Sequence, residues 1–230
     1  MQRIQGPIFD VFYALTGRGD MITAILSVFS VAVIIFVVFP IHECAHGLMA
    51  KILGDDTAER EGRLTLNPFD HIDPMGALCM CVCCIGWAKP TPVNISRCRK
   101  VKARTALALT SLAGPMSNII LSYVMMIIMK LVMNFAMTTP TGVYVAFALQ
   151  QVIVLNIYLA IFNLIPIPPF DGSKILYSFL PAKGISFMER YGQYMHWGFF
   201  LLLILGILDI PLNFLTDIIY WLLDKASFFL

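Results

Sequence analysis

Phe39-Pro40-Ile41-His42-Glu43-Cys44-Ala45-His46-Gly47 sets a His-Glu-x-x-His pattern inside apolar sequence, and its surroundings decide the fold. Histidines four apart on a helix share one face, so a single divalent ion can bind both while Glu43 stands beside it. From Met21 to Ile41 no residue is charged. At about 1.5 Å per helical residue that run nearly crosses a hydrocarbon core, which puts the pattern toward the far end of a membrane helix. Placing Glu43 at bilayer depth without a task costs about 2.5–3.5 kcal/mol on insertion scales, and a metal with its water gives it one.

The composition agrees. Of 230 residues, 59% are hydrophobic and 13% charged, and the mean hydropathy is +0.80. These values define an all-α polytopic membrane protein, a helical transmembrane bundle read as one membrane-embedded domain over 1–230. The catalytic core is expected over about 21–180 and C-terminal helices over about 187–230. The start, Met1-Gln2-Arg3-Ile4-Gln5-Gly6-Pro7, lacks the apolar core and small-residue site of a cleavable signal peptide. A net charge of +2 gives no case for nucleic acid. Cys79, Cys81, Cys83 and Cys84 crowd too closely for disulfides or paired zinc spacing and read as small buried residues.

Along the chain, residues 1–20 suit an interfacial segment, and Met21 to about Leu53 the first long helix. Pro40 is expected to bend it. Arg63-Leu64-Thr65-Leu66 alternates as a short membrane-associated β strand would, and Lys89-Pro90-Thr91-Pro92-Val93-Asn94 suits an exposed strand edge. Pro74 to Trp87 is apolar but too short to cross as a helix, so it is expected to be re-entrant. Six basic residues and no acid lie between Lys89 and Arg104, which makes that loop cytoplasmic. Ala106 to Met129 reads as a second span, with Lys130 snorkelling outward at its end. A third comes back from Thr141 to the prolines at 166, 168 and 169. Gly192 to Leu208 is long enough for a further span, broken by Pro211, while the last twenty residues fit either a span or the interface.

A catalytic zinc takes three protein ligands and keeps one position open. His42 and His46 supply two. Counting from the outer face, Met21 to His42 and Val143 to Asn163 cover equal distances, so the segment ending in Asp171-Gly172 meets the histidines at one depth. Asp171 is therefore the candidate third ligand; its alternative role is to cap a helix beginning at Ser173. His71 and His196 read as structural.

The chain resembles the site-2 protease family of intramembrane zinc metalloproteases. The resemblance rests on His42-Glu43-x-x-His46, Gly62 through Pro68, His71-Ile72-Asp73-Pro74, Gly86-Trp87-Ala88-Lys89-Pro90, Ala113-Gly114-Pro115 with Asn118, and Asn163 through Asp171-Gly172. It covers most of the chain and matches the small bacterial form, without PDZ or CBS domains; Phe170 departs from the leucine common before Asp-Gly. The resemblance implies one Zn2+ per chain on His42, His46 and Asp171, with Glu43 as general base. It implies that Asn118 holds the substrate backbone or the developing oxyanion, against the alternative of a hydrogen bond between helices. The implied partners are a transmembrane protein substrate, the lipid bilayer and a regulatory membrane protein. The implied place is the cell membrane, multi-pass, with the active site toward the cytoplasm. Two other classes compete: a divalent-metal transporter, against which no inverted repeat appears, and a non-catalytic protein that binds membrane segments, which would not need Glu43.

Overall fold

The computed structural model describes residues 7–17, 19–83 and 86–227. The elements in order are α1 (Pro7–Leu15), α2 (Met21–Val33), a π-helical turn (Ile34–Val38), α3 (Phe39–Leu53), α4 (Thr57–Arg60), α5 (Pro68–His71) and α6 (Pro74–Cys83). A 3-10 turn (Ile95–Arg97) then precedes α7 (Ala103–Ala136), α8 (Pro140–Asn163), α9 (Asp171–Phe179), α10 (Ala182–Ile204) and α11 (Asp209–Ala226). Among the described residues three helical stretches are long and apolar enough to cross a membrane: Met21–Leu53, Ala103–Ala136 and Pro140–Asn163. A fourth exists if α10 and α11, bent by 84° between them, are taken as one. The described chain is thus helical, with three to four candidate membrane-spanning helices.

Asp20 starts the first span by accepting from Thr23 N at 2.9 Å. Pro40 offers no N–H and its ring crowds the carbonyl one turn back. The helix answers with the wide turn at Ile34–Val38, whose end is marked by Phe39 N–H donating to Ile34 O, and continues as one span. α3 stops at Gly54, whose φ of +108° suits glycine.

α7 and α8 form the central antiparallel pair. In lipid the transfer of apolar surface does little to join helices, so close approach of small residues matters more. Gly142 illustrates this, because a Cβ there would collide with the carbonyl of Ala136. Met126, Ile153, Ile157, Phe199 and Leu212 form the buried core of α7, α8, α10 and α11. A second core joins α2, the π turn, α3 and α6 through Val31, Ile34, Val38, Phe39 and Met80.

Several expectations change. No strand forms among the described residues at Arg63–Leu66 or Lys89–Asn94, because no second strand lies alongside and Pro90 and Pro92 have no N–H to offer. The one β-type pairing there is an isolated antiparallel bridge between Ile72 and Ala88, while Arg63 Nη2 donates to Lys89 O at 2.8 Å. α6 has the length expected of a non-crossing segment; Cys84 lies outside the described residues. α10 begins at Ala182, so the polar 183–190 stretch is helical. Its break falls at Gly206, with φ +72°, while Pro211 sits harmlessly in the first turn of α11. The Lys130 ammonium ties α11 to the end of α7, reaching Asp224 Oδ1 at 3.0 Å and Asp224 O at 2.8 Å.

Candidate metal centre

α3 carries His42 and His46 on one face, and α9 brings Asp171 to them. The three atoms His42 Nε2, His46 Nε2 and Asp171 Oδ2 form a triangle with sides of 3.1, 3.1 and 3.3 Å. An ion about 2.0 Å from each of three tetrahedral ligands spaces them about 3.3 Å apart, so the donor set fits a divalent ion such as zinc. All three side chains are buried.

His46 is oriented by Thr110 on α7: Nδ1 donates to the Thr110 carbonyl at 2.6 Å, which leaves Nε2 free as a donor atom for a metal. His42 Nδ1 has no partner among the described residues. Gly114, one turn further on α7, passes so close to the pair that a Cβ there would collide with both imidazoles. The Ala113-Gly114-Pro115 stretch therefore has a steric purpose, allowing α7 to back the metal helix.

Asp171 does not cap α9. It is the first residue of that helix, its carboxylate faces the histidines and Lys174, and the helix start makes no side-chain cap bond. Gly172 lets this turn press against the Leu164 and Ile165 carbonyls, where a Cβ would collide.

Glu43 stands beside the triangle, and its Oε2 accepts from the backbone N–H of Thr91 at 2.7 Å. Both face a cavity of about 540 Å³ lined by His42, His46, Trp87, Phe162, Asp171 and Lys174 among others. Asn163 also lines it. Asn118 does not: it is fully buried one turn beyond Gly114, between α7 and α8. Its contact to α8 runs through its backbone, which accepts from Asn156 Nδ2 at 2.9 Å, and its own amide has no partner among the described residues. His71 is structural, bonding Thr65 O through Nε2 at 2.8 Å. His196 packs against Phe170 and Phe200.

Thr91, Thr110 and Lys174 were not singled out from sequence. The first two act through backbone groups, which carry no side-chain signature; Lys174, three residues after Asp171 on one helix, had a readable spacing.

The chain matches the family model described as Peptidase family M50 over residues 133–205, which covers the end of α7 and all of α8, α9 and α10, with Asp171. It is 40% identical over 175 residues to "Putative zinc metalloprotease YwhC" of Bacillus subtilis, covering 74% of this chain and 77% of that protein. It is 26% identical over 235 residues to "Putative zinc metalloprotease Rip2" of Mycolicibacterium smegmatis, covering 96% and 87%. No solved structure matches the chain. A two-histidine, one-carboxylate triangle on membrane-length helices, with these relatives, carries one conclusion: the chain belongs to peptidase family M50, the site-2 protease family of zinc metalloproteases.

Proposed function

We propose that the protein cleaves peptide bonds in or near transmembrane segments of other membrane proteins, with His42, His46 and Asp171 holding zinc and Glu43 as general base. The observation that carries this reading is the convergence of the three donor atoms with Glu43 on one cavity in a bundle of membrane-length helices. Zinc bound there supplies Lewis acidity that activates a water at neutral pH and polarises a carbonyl. Glu43 takes the water's proton on its carboxylate and returns it to the leaving amine. Thr91 N–H keeps that carboxylate turned to the cavity.

The depth of the site supports cleavage at a membrane edge. Thr110, which holds His46, and Lys130, which holds α11, lie about twenty residues apart on α7, or about 30 Å, the thickness of a hydrocarbon core. The basic loop before α7 supports the reading of a multi-pass cell-membrane protein with the metal end on the cytoplasmic side. We read α6 as the re-entrant element: the Ile72–Ala88 bridge brings the chain back where it left, and Met80 packs on the first span. The partners are then the lipid bilayer, a membrane-spanning substrate and a membrane protein that governs access.

The test compares purified wild type with Glu43→Gln against a panel of tagged single-span substrates in liposomes, with zinc measured on the same samples. Zinc in both with cleavage by wild type alone is the expected result. Cleavage that persists in Glu43→Gln would remove Glu43 from the chemistry, and a wild type that holds zinc yet cleaves no membrane segment would overturn the reading.

A further inference from the structure

Asp171 offers its two oxygens to different partners. Oδ2 faces His42 Nε2 at 3.3 Å and His46 Nε2 at 3.1 Å, whereas Oδ1 accepts from Lys174 Nζ at 3.1 Å. Lys174 reaches it from one turn along α9, and its own side chain is 49% exposed at the cavity. An exposed pair at this spacing contributes little as a surface salt bridge. This pair differs because the aspartate side chain is only 8% exposed and its other oxygen belongs to the donor triangle.

We propose that Lys174 is a positioning residue that holds Asp171 as a one-oxygen ligand and so keeps a coordination position open. The inference rests on the reading of the triangle as the zinc centre. A carboxylate can bind a divalent ion through one oxygen or both. With Oδ1 occupied by the ammonium, only Oδ2 is presented, and the centre has three protein donors and room for water. Without the ammonium, Oδ1 is free to rotate into that room. Because α9 fixes the spacing of residues 171 and 174, the same helix that delivers the ligand also limits it. A hydrogen-bonded partner behind a ligand usually governs metal affinity, and its removal typically weakens binding about 10- to 100-fold.

The experiment uses the full-length protein in detergent: wild type, Lys174→Met, Lys174→Gln, Lys174→Arg and His46→Ala. Zinc affinity is measured by chelator competition, and the visible spectrum is recorded after cobalt substitution. Wild type should bind one ion and show the intense bands of four-coordinate cobalt. Lys174→Met should bind zinc about 10- to 100-fold more weakly and show the weaker bands of five-coordinate cobalt. Lys174→Arg, which can still donate to Oδ1, should restore both. Lys174→Gln gives an independent reading if the methionine variant does not fold, and should fall between. Wild-type affinity and spectrum in both Met and Gln variants would overturn the proposal while leaving the zinc centre standing, as would failure of arginine to restore either property. Equal zinc binding by wild type and His46→Ala would instead overturn the centre itself.

Discussion

Thr91 donates its backbone N–H to Glu43 Oε2 at 2.7 Å, joining the segment between α6 and α7 to the metal helix forty-eight residues earlier. A hydrogen bond to a charged acceptor contributes about 1.5–3 kcal/mol. Here it also chooses which way the carboxylate faces. Thr91→Pro deletes this donor between two existing prolines, in a segment that forms no regular element. The expected result is a fall of about 10- to 100-fold in cleavage at unchanged zinc content, following from the energy above. Glu43→Gln should fall further, by about 10²–10⁴-fold. Equal activity of Thr91→Pro and wild type would show that the base needs no such orientation.

Gly114 is where α7 touches the histidines, and a methyl group there would collide with both rings. Backbone and imidazole would have to separate, at a cost of about 1–3 kcal/mol. Gly114→Ala should therefore lose zinc affinity and activity together. Gly198→Ala serves as the control, since nothing lies within 4 Å of a Cβ built there. Zinc content by mass spectrometry, beside melting temperature, separates a displaced ligand from general unfolding.

How far the sequence could be read depended on where each constraint lay. His42, Glu43 and His46 were legible because one helix spacing fixes their relation. Asp171 was legible because apolar length measures depth in a membrane. The histidine's hold on Thr110 and the glutamate's on Thr91 were hidden, since any residue presents the same carbonyl or N–H. Pro211 was over-read: it stands in a helical first turn that needs no N–H, leaving Gly206 to make the break, whereas at Pro40 the helix is widened by a π turn just upstream. Arg63–Leu66 alternates like a strand, yet alternation without a neighbouring strand leaves the backbone to other partners. Asn118 showed only that a polar group lay at depth, not that it would stand outside the cavity.

Lys130 binds the end of α11 through Asp224 Oδ1, Asp224 O and Ser227 O, at 3.0, 2.8 and 3.3 Å. A cation at a helix C-terminus also meets the favourable end of its dipole. Lys130→Met leaves those carbonyls without their donor and should destabilise the protein by about 1–3 kcal/mol. Because the metal centre is about 30 Å away along α7, zinc affinity should not change. Thermal unfolding in detergent, with zinc titration of the folded fraction, tests both halves; a loss of zinc affinity would show that α11 is coupled to the site.

Asp55 is fully buried just after α3, where it accepts from Thr57 N and Thr57 Oγ1 and from Asn94 N at 2.6 Å. It thereby fastens the segment that carries Thr91. Burial pushes its carboxyl up, but the Thr57 and Asn94 hydrogen bonds and the charge of Arg97 outweigh this and hold it below its ordinary value of 3.8. The folded state therefore binds this proton less readily than the unfolded chain does. The stability it contributes is complete above about pH 4 and is lost as pH falls through the depressed folded-state value. Asp55→Asn removes the charge at all pH values. At pH 7 it should lower stability by about 1–3 kcal/mol, and the melting temperatures of variant and wild type should converge as the pH drops below 4. A difference that stays constant from pH 7 to pH 3 would mean that Asp55 works by shape rather than charge. Reduced cleavage at pH 7 with zinc retained would place its effect on the Thr91 segment that orients Glu43.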